Sequence, residues 1–235
     1  MKALNSILRI FPDMIGLTRM SKYSALADVD ALMHADIYDL ANRILNKFHN
    51  GGGLRPPLQE YKLAELYRLL RQYKPNKIVE LGSGSSTAIV AEYCHNTKNQ
   101  AISIEENTSW IENTLKIITD LGYEESVMLT QKTASLSEDK LVARYNQLNI
   151  ASCDLLIVDG PSLVQEGVNH KHAVCLDASE IDAAVILVDM RKETTHFLTK
   201  LFKFKYNVLL SDILFRLNPV NRPLRYWTVF ERIAN

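Results

Sequence analysis

The chain is 235 residues long, with an apolar fraction of 47% and a charged fraction of 23%, the usage of a globular protein. At roughly 150 residues per domain, that is one sizeable domain with an extension, and it excludes a largely disordered, collagenous or many-span membrane chain. Lys and Arg total 27 against 27 for Asp and Glu. With no net positive charge to neutralise phosphates, a dedicated nucleic-acid binder is not expected.

The three cysteines, Cys94, Cys153 and Cys175, form no C-x-x-C pair, so a reducing, cytoplasmic setting is the expectation. No apolar run approaches the roughly 18 residues of a spanning helix. The opening residues also lack the long apolar core of a signal peptide.

In chain order, Leu4, Ile7, Leu8, Phe11 and Ile15 recur at helical spacing, interrupted by Pro12. This segment reads as a helix packed on the domain or on a partner chain, which would be a route to a homo-oligomer. Peripheral membrane association is the alternative, weakened by a polar face whose only cations are Lys2, Arg9 and Arg19. Residues 25–48 again carry apolar positions at helical spacing. Gly51, Gly52 and Gly53 then break the pattern, and a further helix over 59–73 is stopped by Pro75. Residues 1–54 are therefore expected to form an N-terminal helical extension or lid over the carboxyl edge of the main domain, with the glycines as its joint. The main domain is expected over residues 55–235.

From residue 77 the pattern changes. Apolar runs of strand length at 77–81, 101–105, 127–131, 154–159 and 184–189 alternate with helix-like stretches at 86–95, 109–121, 136–148 and 173–181. A helix near 192–204 and two runs at 206–210 and 226–233 follow. Strands alternating with helices predict a doubly wound, mostly parallel sheet, and the unbroken apolar runs fit strands covered on both faces.

The turn after the first strand carries the most specific signal: Glu80-Leu81-Gly82-Ser83-Gly84-Ser85-Ser86-Thr87. A strand runs into a glycine turn that opens a helix, whose N-terminal N–H groups favour a carboxylate or phosphate. Glu80 is an acceptor suited to an ammonium. Glu105, at the end of the second strand, suits a ribose diol, and Glu106 beside it reads more simply as a solvated residue. A nicotinamide fingerprint would want glycine at position 87, where Thr87 stands.

These residues, together with Asp154-Leu155-Leu156-Ile157-Val158-Asp159-Gly160-Pro161, resemble the class I S-adenosylmethionine-dependent methyltransferases, with Ser86 in place of the family's third glycine. The resemblance covers roughly residues 55–235. It implies a seven-stranded sheet of order 3-2-1-4-5-7-6 with the last strand antiparallel, and S-adenosylmethionine as cofactor. It also implies roles: Gly82, Ser83, Gly84, Ser85 and Ser86 around the methionine part, Glu80 near its amino group, Glu105 with Glu106 at the ribose, and Thr133, Ala134 and Ser135 along the adenine.

On the acceptor side the chain distantly resembles catechol-type O-methyltransferases and a subgroup of bacterial methyltransferases found with surface-polysaccharide genes. A small-molecule or glycan-linked hydroxyl is the expected acceptor. Asp159 and Asp189 are weak candidates for binding Mg²⁺, since Met190 stands where those enzymes carry a further ligand. The metal-free alternative takes the proton on Asp159, or on His172 or His170 of the following polar loop, which also holds Glu166. Two other readings stay open: a non-catalytic S-adenosylmethionine-binding regulatory module, and another nucleotide-using α/β enzyme such as a dehydrogenase.

Overall fold

A computed structural model describes residues 19–49, 58–165, 167–219 and 221–234. The helical spacing from Leu4 to Ile15, the glycine joint at residues 51–53 and Glu166 lie outside these residues.

Helix α1 (residues 19–33) and α2 (Ala35–His49) precede α3 (Gln59–Tyr73). The alternating core is then β1 (Lys77–Leu81), α4 (Ser85–Thr97), β2 (Gln100–Glu105), α5 (Thr108–Leu121) and β3 (Val127–Gln131). It continues through β4 (Ala134–Leu136), β5 (Val142–Tyr145), β6 (Ser152–Val158), the hairpin β7 (Val164–Gln165) and β8 (Val168–Asn169), and β9 (Val174–Cys175). The chain closes with α6 (Asp177–Glu180), β10 (Asp182–Val188), α7 (Lys192–Leu201), β11 (Tyr206–Leu209) and β12 (Thr228–Arg232).

Seven strands form the main sheet in the order β11-β12-β10-β6-β1-β2-β3. Counted along the chain this is 3-2-1-4-5-7-6, the order the family resemblance implied. β1, β2, β3, β6 and β10 pair in parallel, and β12 runs antiparallel to both its neighbours. Side chains alternate between the two faces. Ile78, Leu155, Ile157 and Leu187 pack with α3, α4 and the N-terminal helices. Val79, Leu81, Leu156, Val158 and Ile186 pack with Leu198 and Phe202 on the other side. Both faces are covered, which is why these strands are apolar without a break.

Three predicted elements differ from what is observed. Residues 25–48 are not one helix: the path turns at His34, where Tyr38 folds back to donate to Asp30 Oδ2 at 2.9 Å. The helix predicted over 136–148 is instead the hairpin β4–β5. Its turn is made by Ser137, Asp139 and Lys140: Asp139 Oδ1 accepts from Ser137 Oγ and from Leu141 N, and Lys140 has φ +59°. The stretch 173–181 contributes β9 and the short α6, and β4, β5 and β9 make a second small sheet.

The N-terminal helices belong to the same packed body. α2 lies across α3, α4 and α5, on a face of the sheet rather than over its edge. Only its last turn comes near the edge, with the Phe48 ring 6.4 Å from Trp110. α1 reaches the carboxyl edge through Tyr23, whose hydroxyl donates to Leu217 O at 2.7 Å in the β11–β12 loop.

Candidate active site

The strand order reverses between β1 and β6, so a crevice opens at their carboxyl ends, the ligand position of doubly wound sheets. A cleft of about 410 Å³ lies there, lined by residues that include Gly82, Ser83, Glu105, Trp110, Asp159 and Gly160. Of the residues singled out from sequence, the structure therefore brings Gly82, Ser83, Glu105, Glu106 and Asp159 to one cleft. Gly84 flanks it, packed under Trp110.

The turn after β1 is built from below. Glu80 is wholly buried, and its Oε2 accepts from Thr87 Oγ1 and Ser103 Oγ, both at 2.6 Å. Thr87 Oγ1 also accepts from Gly84 N at 2.8 Å, so the threonine that replaces the dinucleotide-type glycine ties the turn to the strand. Burial pushes the Glu80 carboxyl up, against the hydroxyls of Ser103, Thr87 and Ser86, which hold it down. Its Oε1 has no hydrogen-bond partner among the described residues. An orphaned buried acceptor under a glycine turn fits the ammonium of an amino-acid-bearing ligand.

Glu105 crosses from β2 to the same turn. Its Oε2 accepts from Ser83 N at 2.8 Å, and its Oε1 from Glu106 N at 3.1 Å and Asn107 N at 3.0 Å. Three backbone donors leave a carboxylate with capacity for about one further hydrogen bond; Ser83 Oγ makes it at a long 3.4 Å. Burial, with the neighbouring Glu106 charge, raises the Glu105 carboxyl.

Glu106 turns away to the opposite wall. It accepts from Ser162 N at 2.7 Å and from the Tyr145 hydroxyl at 3.0 Å, so it braces the loop after β6. Ala134 is half-buried on β4 and is not part of the cleft's lining. Ser85 and Ser86 form the first turn of α4.

The Asp159 side of the cleft holds the largest addition to the sequence reading. Asp159 and Asp189, from the ends of β6 and β10, do come together. Between them lies the ammonium of Lys62, 3.0 Å from Asp159 Oδ2 and 2.5 Å from Asp189 Oδ2. Burial works against the Lys62 charge, but Asp159 and Asp189 outweigh it and hold the ammonium well above the usual lysine range. Burial also opposes the Asp189 charge, yet Lys62 prevails and keeps that carboxyl low. Asp159 is pushed up, by burial first and by the Asp189 charge second. The residues present therefore do not fit a divalent metal: the space between the carboxylates holds an ammonium, and Met190 adds no oxygen. Among the described residues, no group of three or more His, Cys, Asp or Glu side chains is arranged to hold a metal.

The two histidines do not join Asp159. His172 is exposed, His170 is half-buried with its Nε2 unpartnered among the described residues, and it is Ser162 and Asn169 of the loop after β6 that line the cleft. Arg191 instead secures the loop, donating to Asp159 O and Pro161 O, both at 3.0 Å.

Sequence reasoning missed Lys62, Trp110 and Arg191. Lys62 falls among apolar positions of a helix and carries no motif. Trp110 offered a signal: a tryptophan in the first turn of the helix that follows Glu105. Its indole N–H donates to Ser83 O, and its ring lies 3.4 Å from where a Cβ on Gly84 would stand.

No family model matches the sequence, and a search of curated proteins found no significant match. Solved structures do resemble it. One is the SAH-bound methyltransferase PaMTH1 of Podospora anserina, at 15% identity and a TM-score of 0.53, covering 88% of this chain and 96% of that one. A proposed caffeoyl-CoA O-methyltransferase from Staphylococcus aureus gives 14% and 0.52, covering 89% and 97%. A methyltransferase from Geobacter sulfurreducens gives 13% and 0.52, covering 88% and 97%. At these identities the likeness is one of fold: the chain has the fold of the class I S-adenosylmethionine-dependent methyltransferases.

Proposed function

We propose that this protein is an S-adenosylmethionine-dependent methyltransferase that O-methylates a hydroxyl of a small molecule or of a glycan. The observation that carries the reading is the pairing of Glu105 and Asp159 on opposite sides of one glycine turn at the sheet's switch point, with the cleft between them. When bound, S-adenosylmethionine supplies an electrophilic methyl group. The 82–86 turn and the orphaned Glu80 oxygen would hold its methionine end, Glu105 one ribose hydroxyl in exchange for its long contact with Ser83 Oγ, and the stretch around Ala134, beyond the cleft lining, the adenine. Trp110 closes the wall beside the turn.

Asp159 then takes the proton of the acceptor hydroxyl as the oxygen–methyl bond forms and the sulfur–methyl bond breaks. A carboxyl raised by burial and by Asp189 is suited to that task near neutral pH. Arg191, holding the Asp159 and Pro161 carbonyls, keeps the base in place. A cytoplasmic setting accords with three buried, free cysteines.

Methyl transfer from labelled S-adenosylmethionine to a panel of phenols, catechols, sugar alcohols and amines tests the proposal. Label is expected on hydroxyl acceptors. Cofactor binding with transfer to amines alone, or with no transfer at all, would overturn it, the latter in favour of a binding module.

A further inference from the structure

We propose that Lys62 is the resident cation of the acceptor side. Its ammonium takes the place between Asp159 and Asp189 that a divalent ion would need, and so aims Asp159 without a metal. The catalytic part of this inference rests on the methyltransferase reading above; the cation part does not.

Several independent contacts define the arrangement. The Lys62 side chain is only 7% exposed, and a charge so buried has to be paired. It is paired twice, and its ammonium also lies 5.3 Å from the Trp227 ring centre, a cation–π contact. The backbone that carries it is fixed to the residues just before β12: Trp227 Nε1 donates to Lys62 O at 3.1 Å, and Glu65, one turn on, accepts from Tyr226 N at 2.6 Å. Asp189 has both oxygens engaged, Oδ2 by Lys62 and Oδ1 by Met190 N at 2.7 Å. Asp159 is the more open of the two: its Oδ2 meets Lys62, its carboxyl also meets that of Asp189, its side chain is 36% exposed, and it lines the cleft. The ammonium is thus clamped on Asp189 and presents Asp159 to whatever enters. A helix of the N-terminal part of the chain supplies the charge that two sheet carboxylates need.

The test uses full-length protein and two titrants, Mn²⁺ and S-adenosylhomocysteine, followed by calorimetry in wild type, Lys62→Gln, Asp189→Asn and the double variant. Wild type is expected to show no Mn²⁺ site that Asp189→Asn removes. Lys62→Gln is expected to gain one, tighter by about tenfold or more than any wild-type binding, because two carboxylates then lack a cation; the double variant loses it. A Mn²⁺ site in wild type that Asp189→Asn abolishes would overturn the proposal, and needs no lysine variant to be seen. So would a folded Lys62→Gln that gains nothing. In turnover, Lys62→Gln should lose about 100-fold in kcat with little change in KM for S-adenosylmethionine, the cost of a misaimed group, and Lys62→Arg should recover part of it. Unchanged kcat in Lys62→Gln would contradict the positioning role. Absence of S-adenosylhomocysteine binding in wild type would count against the proposed function instead, and the Mn²⁺ arm would still decide the cation.

Discussion

Gly82 and Gly160 meet backbone to backbone: a Cβ on Gly82 would lie 2.5 Å from Gly160 N, and one on Gly160 would lie 2.7 Å from Gly82 Cα. Gly82 also has φ +94°, so its glycine serves the contact between the β1 and β6 ends, before any ligand is considered. Gly82→Ala should therefore lower stability by roughly 1–3 kcal/mol through strain and weaken cofactor binding with it. Urea unfolding measures the first effect. A variant as stable as wild type would show that the two turns are not in contact.

Glu105 and Glu106 are adjacent but brace different walls, Glu105 the glycine turn and Glu106 the loop at Ser162. Glu105→Ala is expected to weaken S-adenosylhomocysteine binding by about tenfold or more, from lost charged hydrogen bonds. Glu106→Ala should do less at the cofactor. Calorimetry on both variants decides, and the reverse ranking would move the ribose contact to Glu106.

Asp159→Asn should abolish turnover while leaving S-adenosylhomocysteine affinity within about threefold, since the proposed function gives the residue the acceptor's proton and no contact with the nucleoside. Because burial and Asp189 raise its carboxyl, the base form is scarce below that raised value. The rate should climb with pH as Asp159 ionises and level off above. A flat acid limb in wild type would remove Asp159 from the proton's path.

Glu65 gives a second pH effect, on stability. Burial lifts its carboxyl to about 8, against the Tyr226 and Trp227 N–H groups and the Arg68 and Arg225 charges. The folded state then holds a proton that the unfolded chain has released, from about pH 4.5 upward. That contribution is complete below this pH and is lost as pH rises to about 8, so stability should fall across the window. Glu65→Gln should flatten the fall, as thermal unfolding at a series of pH values will show.

Much of the fold was legible because the strands are buried on both faces, and their apolar runs ended where the strands end: 77–81 and 127–131 coincide with β1 and β3. The hairpin β4–β5 was hidden because Leu141, Tyr145 and Leu148 stand at helical spacing, while the Ser137–Asp139 turn acts through side-chain hydrogen bonds that periodicity does not register. That the glycine turn and Glu105 meet in one cleft was legible for a similar reason: a glycine turn and a strand-end carboxylate are local in sequence. The surroundings of Asp159 were not. Lys62 reaches Asp159 across 97 positions and Asp189 across 127, and it is the anchoring of α3 to Tyr226 and Trp227, just before β12, that fixes its backbone there.

Calorimetric titration of the full-length protein with S-adenosylhomocysteine tests the central claim most directly. One saturable site is expected, with a rise in melting temperature that corresponds to about 2.7 kcal/mol at 100 times the dissociation constant. A folded protein that gives no heat and no thermal shift with either S-adenosylhomocysteine or S-adenosylmethionine would contradict the account.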